Sequence, residues 1–402
     1  MTQFDDIRPY RDDEVRAVID KLTSDNSLVD TVANYKFPRM SKWVPGLMPW
    51  LIRKRIQHDL GDVNSVKDFQ DIVANYVARS IKTSTSGFSF TGIDKLDPKQ
   101  SYLFISNHRD IAMDPAFLNY ALYLSNHNTF EIAIGDNLLT HPLATDLMRL
   151  NRTFIVKRSV EGIRNKLAAM TQLSHYIRHT LDQKTSVWIA QREGRAKNGI
   201  DKTDPTILKM FYIHGKKQRI PFSEYINQLN IVPVAISYEY DPCDYLKAKE
   251  LEARSHHQDY EKSDDEDLQS IIKGIAQPKG RVHVGVGTPL KGEFENADQV
   301  AALIDQQIAE NYQLYVSNIV ALERLALNWK TVSSLPELTR EKMGEIRDQA
   351  KVAWNKVEHK EFANKAREFS QRVAEQPHHL QQYMLEMYAN PIINKYQVLK
   401  AK

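Results

Sequence analysis

The run Phe104-Ile105-Ser106-Asn107-His108-Arg109-Asp110-Ile111-Ala112-Met113-Asp114-Pro115-Ala116-Phe117 sets a histidine and two carboxylates between an apolar β-like run and a helical pattern. A histidine of near-neutral pKa can take a proton from an alcohol, and a carboxylate on its other ring nitrogen fixes the tautomer and stabilises the imidazolium. Asp110 and Asp114 both stand close enough in sequence to orient His108, and spacing alone leaves the choice open. Taken singly, such a turn is more often a helix cap or a satisfied polar corner.

Two further polar clusters follow apolar runs. Thr153-Phe154-Ile155-Val156 ends in Lys157 and Arg158, and Trp188-Ile189-Ala190-Gln191 leads into Arg192-Glu193-Gly194-Arg195-Ala196-Lys197. Gly194 lets backbone approach a ligand, while Arg grips phosphate through two parallel hydrogen bonds and Lys adds a point charge. Each cluster alone reads as a solvated face. Together, at strand ends of one sheet, they predict a phosphate pocket beside a general base.

The elements that must position these residues are legible as short apolar runs at 102–105, 130–134, 153–156, 186–190, 231–236 and 281–286, with helical stretches such as 162–181 between them. Several runs are continuous, as strands covered on both faces are, which predicts an α/β domain with a largely parallel central sheet flanked by helices. The expected organisation is an N-terminal helical region at 1–86, the α/β domain at 87–295 and a C-terminal helical region at 296–402 whose sequence supports packing or partner binding only. The charged interval 247–273 reads as a solvated excursion.

The four blocks SNHRDIAMDPAF, TFIVKR, EGRAKNG and IVPVAI, in that order, resemble the glycerolipid acyltransferase family, the lysophosphatidate and glycerol-3-phosphate acyltransferases marked by a His-x4-Asp block. The match spans 88–290, closing on Gly280 to Leu290. The resemblance implies a fatty acyl transfer from acyl-CoA or acyl carrier protein, as donor substrate rather than bound cofactor, to a hydroxyl of glycerol-3-phosphate or a lysophospholipid, with no metal. It implies His108 as base, Asp114 as orienting residue because Pro115-Ala116-Phe117 follows it, and Arg158, Glu193, Gly194, Arg195, Lys197 and Pro233 as the substrate-binding set. Two departures stand out: five residues rather than four separate His108 from Asp114, and one residue between glycine and arginine is missing from the third block. A non-catalytic lipid-binding or membrane-scaffold protein of the same fold is the alternative.

Other chemistries lack their parts. His108-Arg109-Asp110 resembles a kinase catalytic loop, but Pro115 occupies the position of its magnesium-binding Asn, and no Gly-x-Ser-x-Gly or His-Glu-x-x-His occurs. A net charge of +3 is too small to argue for nucleic acid. The single cysteine, Cys243, permits no internal disulfide, and the charged N-terminus has no secretory pattern, so a cytoplasmic location is expected. No uncharged apolar run approaches the ~20 residues that span a bilayer. The stretch containing Trp43, Leu47, Trp50, Leu51, Arg53, Lys54 and Arg55 has the composition of a membrane-interface segment, and the alternative is ordinary core packing. Peripheral attachment to the cytoplasmic face of the inner membrane is the resulting expectation.

Overall fold

The computed structural model describes residues 3–24, 47–139, 142–256, 260, 266–327, 340–354 and 359–400. In chain order the elements begin with α1 (Asp12–Ser24), α2 (Leu47–Leu60), α3 (Val66–Ser84), β1 (Gly87–Thr91), β2 (Leu103–Ser106) and α4 (Met113–Leu124). There follow β3 (Glu131–Gly135), α5 (Pro142–Leu150), β4 (Thr153–Val156), α6 (Ile163–Asp182), β5 (Val187–Ala190), α7 (Pro205–Lys217), α8 (Phe222–Gln228) and β6 (Ile231–Tyr238). The remainder is α9 (Asp244–Ser255), α10 (Glu266–Ala276), β7 (Arg281–Val286), α11 (Ala297–Asn311), α12 (Val316–Leu327), α13 (Arg340–Trp354), α14 (His359–Ala374) and α15 (His378–Lys400).

The described chain forms two compact units, each discontinuous in sequence. The first draws on Met1–Arg79 and Phe130–Tyr176. Its α1 turns Val15, Ile19 and Leu22 inward at helical spacing, and these pack with Val63, Phe69, Leu143 and Leu150. Strands β3 and β4 pair in parallel there, with Ile134 opposite Ile155.

The second unit comprises Ser80–Thr129 and Ile177–Lys402. Its strands run in the order β1-β7-β6-β2-β5, parallel throughout except for the β6–β7 pair. Strands β2 and β6 are buried along their whole length, which is why LFIS and IVPVAISY carry no alternation. The α/β class, the largely parallel sheet and the helical terminal regions are therefore those that the apolar pattern predicts.

Pro233 lies in mid-sheet, where a missing N–H normally breaks a ladder. Its carbonyl points to the β7 side and accepts from the Gly287 N–H at 2.9 Å, so the absent donor also falls on that side. The β6–β7 pairing begins only at Val234, and the β2 ladder is untouched. Pro233 thus occupies the one side of β6 that can receive it.

The charged interval 247–273 departs from its expectation. Rather than a solvated excursion, its described residues contribute to α9 and α10, and Lys247, Glu250 and Ser270 are buried. The reason is reciprocal charge: Lys247 pairs with Asp241, and Glu250 accepts from both Lys197 and Arg254. Buried ions persist when they are paired.

Candidate active site

Strand β2 ends at Ser106, and the chain turns through residues 107–112 into α4. Asp110 starts that helix: its Oδ1 accepts from the N–H groups of Ala112 (3.0 Å) and Met113 (2.8 Å). Asp114, in the first turn, points back into the loop. Its Oδ2 accepts from the backbone N–H groups of Arg109 (2.6 Å) and Asp110 (2.9 Å) and lies 2.9 Å from His108 Nδ1, while its Oδ1 accepts from the Tyr238 hydroxyl at 2.7 Å. The loop therefore wraps around one carboxylate, and the extra residue between His108 and Asp114 is taken up in the wrapping. The two rivals in the sequence occupy different places, with Asp114 on the ring and Asp110 on the helix start.

Because both oxygens of Asp114 act as acceptors, the proton of the neutral imidazole belongs on Nδ1, leaving Nε2 with its lone pair. The His108 side chain is 14% exposed, and its ring meets that of Trp188 edge-on at 5.8 Å. Burial lowers the His108 pKa below its ordinary 6.5; Asp114 opposes this, and the charges of Arg195 and Lys247 add to it. The ring is thus held neutral at pH 7, ready to accept a proton.

Asp110 is strained differently. Its Oδ2 is buried with no hydrogen-bond partner among the described residues, and burial with the neighbouring Asp114 charge pushes its pKa up to about 6. A raised folded pKa means that its contribution to stability is complete below 3.8 and is lost as pH climbs through about 6. Relative to wild type, Asp110→Asn should therefore gain on the order of 3 kcal/mol between pH 4 and pH 7.5. Denaturant titrations of both proteins across that range measure it; a constant difference would remove the buried charge from consideration.

The third block forms a loop beside this histidine. The Ala196 N–H donates to the His108 carbonyl at 2.9 Å, tying the two segments together. Gly194 adopts φ +72° with nothing within 4 Å of where a Cβ would stand, so this turn favours glycine by conformation and not by crowding. Arg195 is buried, donates through Nη2 to Ser270 Oγ at 3.2 Å and faces Asp267 at 3.8 Å; its Nη1 is buried with no hydrogen-bond partner among the described residues. Lys197 pairs with buried Glu250 at 2.8 Å, and Glu193 is exposed. Among the predicted binding residues of this unit, Arg195 and Lys197 thus come to the histidine loop, while Pro233 is sealed inside the sheet.

Arg158 belongs to the first unit. Its backbone N–H and that of Ser159 donate to Asp136 Oδ1 at 3.0 and 3.2 Å, which fixes the turn after β4 and leaves the Arg158 side chain on the surface. In α2, Trp50 is 54% and Leu51 43% exposed, Lys54 and Arg55 are exposed and Arg53 is half-buried. Leu47 begins that helix, and Trp43 lies outside the described residues.

Sequence reasoning missed the polar residues beneath the loop. The Asn107 amide accepts from the Ile236 N–H (2.7 Å) and donates to the Ile236 carbonyl (3.0 Å), replacing the ladder just past the end of β2. Asp201 accepts from Asn107 (3.3 Å) and from Arg109 (2.6 Å), so the residues on both sides of His108 are anchored to one carboxylate. Lys247 Nζ holds the Arg109 carbonyl at 2.8 Å. From α15, Asn390 and Asn394 donate to the carbonyls of Asn198 (2.7 Å) and Asp201 (3.0 Å), and a Cβ on Gly199 would lie 2.2 Å from the Met387 carbonyl. The only sequence signal for this scaffold is the density of Asn and Asp near the blocks, which turns share.

Residues 87–237 match the acyltransferase family model, and this stretch is an acyltransferase domain. Among solved structures the chain is similar to the 1-acyl-sn-glycerophosphate (LPA) acyltransferase PlsC from Thermotoga maritima, at 11% identity over 60% of this chain and 78% of that one, with a TM-score of 0.33. No curated protein sequence matches the chain.

Proposed function

We propose that this protein is an acyltransferase that moves a fatty acyl group from acyl-CoA or acyl carrier protein to a hydroxyl of glycerol-3-phosphate or of a lysophospholipid such as lysophosphatidate, in phospholipid synthesis or remodelling. The observation that carries the reading is the His108–Asp114 contact at 2.9 Å next to Arg195, whose buried Nη1 has an unused donor. His108 Nε2 takes the hydroxyl proton as the oxygen attacks the thioester carbonyl. The tetrahedral adduct collapses, the C–S bond breaks, and the imidazolium returns the proton to the departing thiolate. Asp114 holds the ring and its charge throughout.

Arg195 and Lys197 supply cations for the acceptor phosphate, with Arg158 and Glu193 assigned to the same acceptor on the strength of the block resemblance. Peripheral attachment to the cytoplasmic face of the inner membrane fits exposed Trp50 and Leu51 beside Lys54 and Arg55. No described helix is long and apolar enough to cross a membrane.

Purified protein given acyl thioesters and a panel of acceptors, with products read by mass spectrometry, tests the reading. No product with retained lipid binding would favour the scaffold alternative. Arg195→Ala is expected to raise the KM for the phosphate-bearing acceptor about 10- to 100-fold, the worth of a charge-assisted hydrogen bond, with a smaller change in kcat. An unchanged acceptor KM would take Arg195 out of the phosphate site.

A further inference from the structure

The first turns of α6 carry a surface for which neither the fold nor the chemistry above accounts. Residues 161–168 are all exposed, Ile163 at 87% and Leu167 at 58%, and these two stand one turn apart on a shared face. Further along the same helix Leu173, Tyr176, Ile177 and Leu181 are buried, so its start projects beyond the packed part. Arg164 and Lys166 flank the apolar pair, exposed Arg158 precedes it, and Glu161 is the one acidic residue between 157 and 170.

We propose that this end of α6 docks on an anionic lipid surface, Ile163 and Leu167 entering the headgroup boundary and Arg164 and Lys166 meeting lipid phosphates. The mixture of chemistries selects this occupant. A second copy across a two-fold axis would bring the same cations face to face. Single-stranded nucleic acid would call for aromatic platforms, not two aliphatic side chains. A membrane interface satisfies apolar and cationic groups side by side. The site extends the peripheral attachment proposed above from α2 to a second contact, and it rests on that reading only for its biological purpose.

Co-sedimentation of the full chain with phosphatidylcholine vesicles, with and without phosphatidylglycerol, tests it. Ile163→Ser with Leu167→Ser should lower partitioning about tenfold or more on both vesicle types. Arg164→Gln with Lys166→Gln should lower it about 25-fold on the anionic vesicles, roughly fivefold per cation, and leave the neutral ones unchanged. Acyl transfer to detergent-dispersed acceptor should persist in both variants; its absence from wild type would end the catalytic reading and leave the vesicle result standing. Wild-type partitioning in both variants overturns the proposal, as does a serine variant that only dissociates a dimer in sedimentation velocity.

Discussion

His108→Ala is expected to reduce kcat by about 100- to 10,000-fold, the span over which a positioned general base acts. The side chain is 14% exposed and donates no hydrogen bond on which the fold depends beyond its link to Asp114, so circular dichroism and thermal unfolding should remain close to wild type. The wild-type pH profile carries the companion expectation. With its pKa lowered by burial, the acidic limb of kcat/KM should fall below pH 6.5, because the neutral base persists to lower pH. An alanine variant of near-normal turnover, or a limb well above 6.5, would refute the assignment of His108 as base.

Asp114→Asn is expected to lower kcat by a comparable ~100- to 10,000-fold, through a different route. The carboxylate receives two backbone N–H groups, the Tyr238 hydroxyl and the imidazole, all donors. An amide has one acceptor oxygen and presents N–H groups to at least one of them, which costs about 1–3 kcal/mol and allows the imidazole to take the other tautomer. Loss of the Asp114 charge also removes the influence that raises the His108 pKa, so the residual activity should show an acidic limb shifted further down. Asp110→Asn, which keeps an acceptor at the start of α4, serves as the control. Should Asp110→Asn be the crippled variant and Asp114→Asn the active one, the roles derived from the loop would be reversed.

The apolar runs located the interior strands closely because a strand buried on both faces must be written in continuous apolar residues: 102–105 and 231–236 fall on β2 and β6, both buried along their whole length. Strand β1, Gly87–Thr91, escaped notice since it alternates between exposed and half-buried positions and is built of Gly, Phe, Ser and Thr. The catalytic block and its order were visible in residue types. Spacing left Asp110 and Asp114 open and only the block resemblance favoured Asp114, because the contact itself depends on a loop folding back through two backbone N–H groups.

Lys247 illustrates the other limit. In sequence it belongs to a charged tract and reads as solvated, yet its partners are Asp241 and the Arg109 carbonyl, the latter 138 positions away. A buried ion is recognisable only from what neutralises it, and periodicity does not carry that information. The same holds for Asn390 and Asn394, polar residues of a long helix whose acceptors belong to a distant turn.

Those two asparagines lie 192 and 193 residues downstream of the carbonyls that they hold. At ribosomal rates of ~5–20 residues per second, the Asn198–Asp201 segment waits about 10 to 40 s for its tether during vectorial synthesis. Nascent chains therefore carry the loop that bears His108 in an unlatched form until α15 has been synthesised.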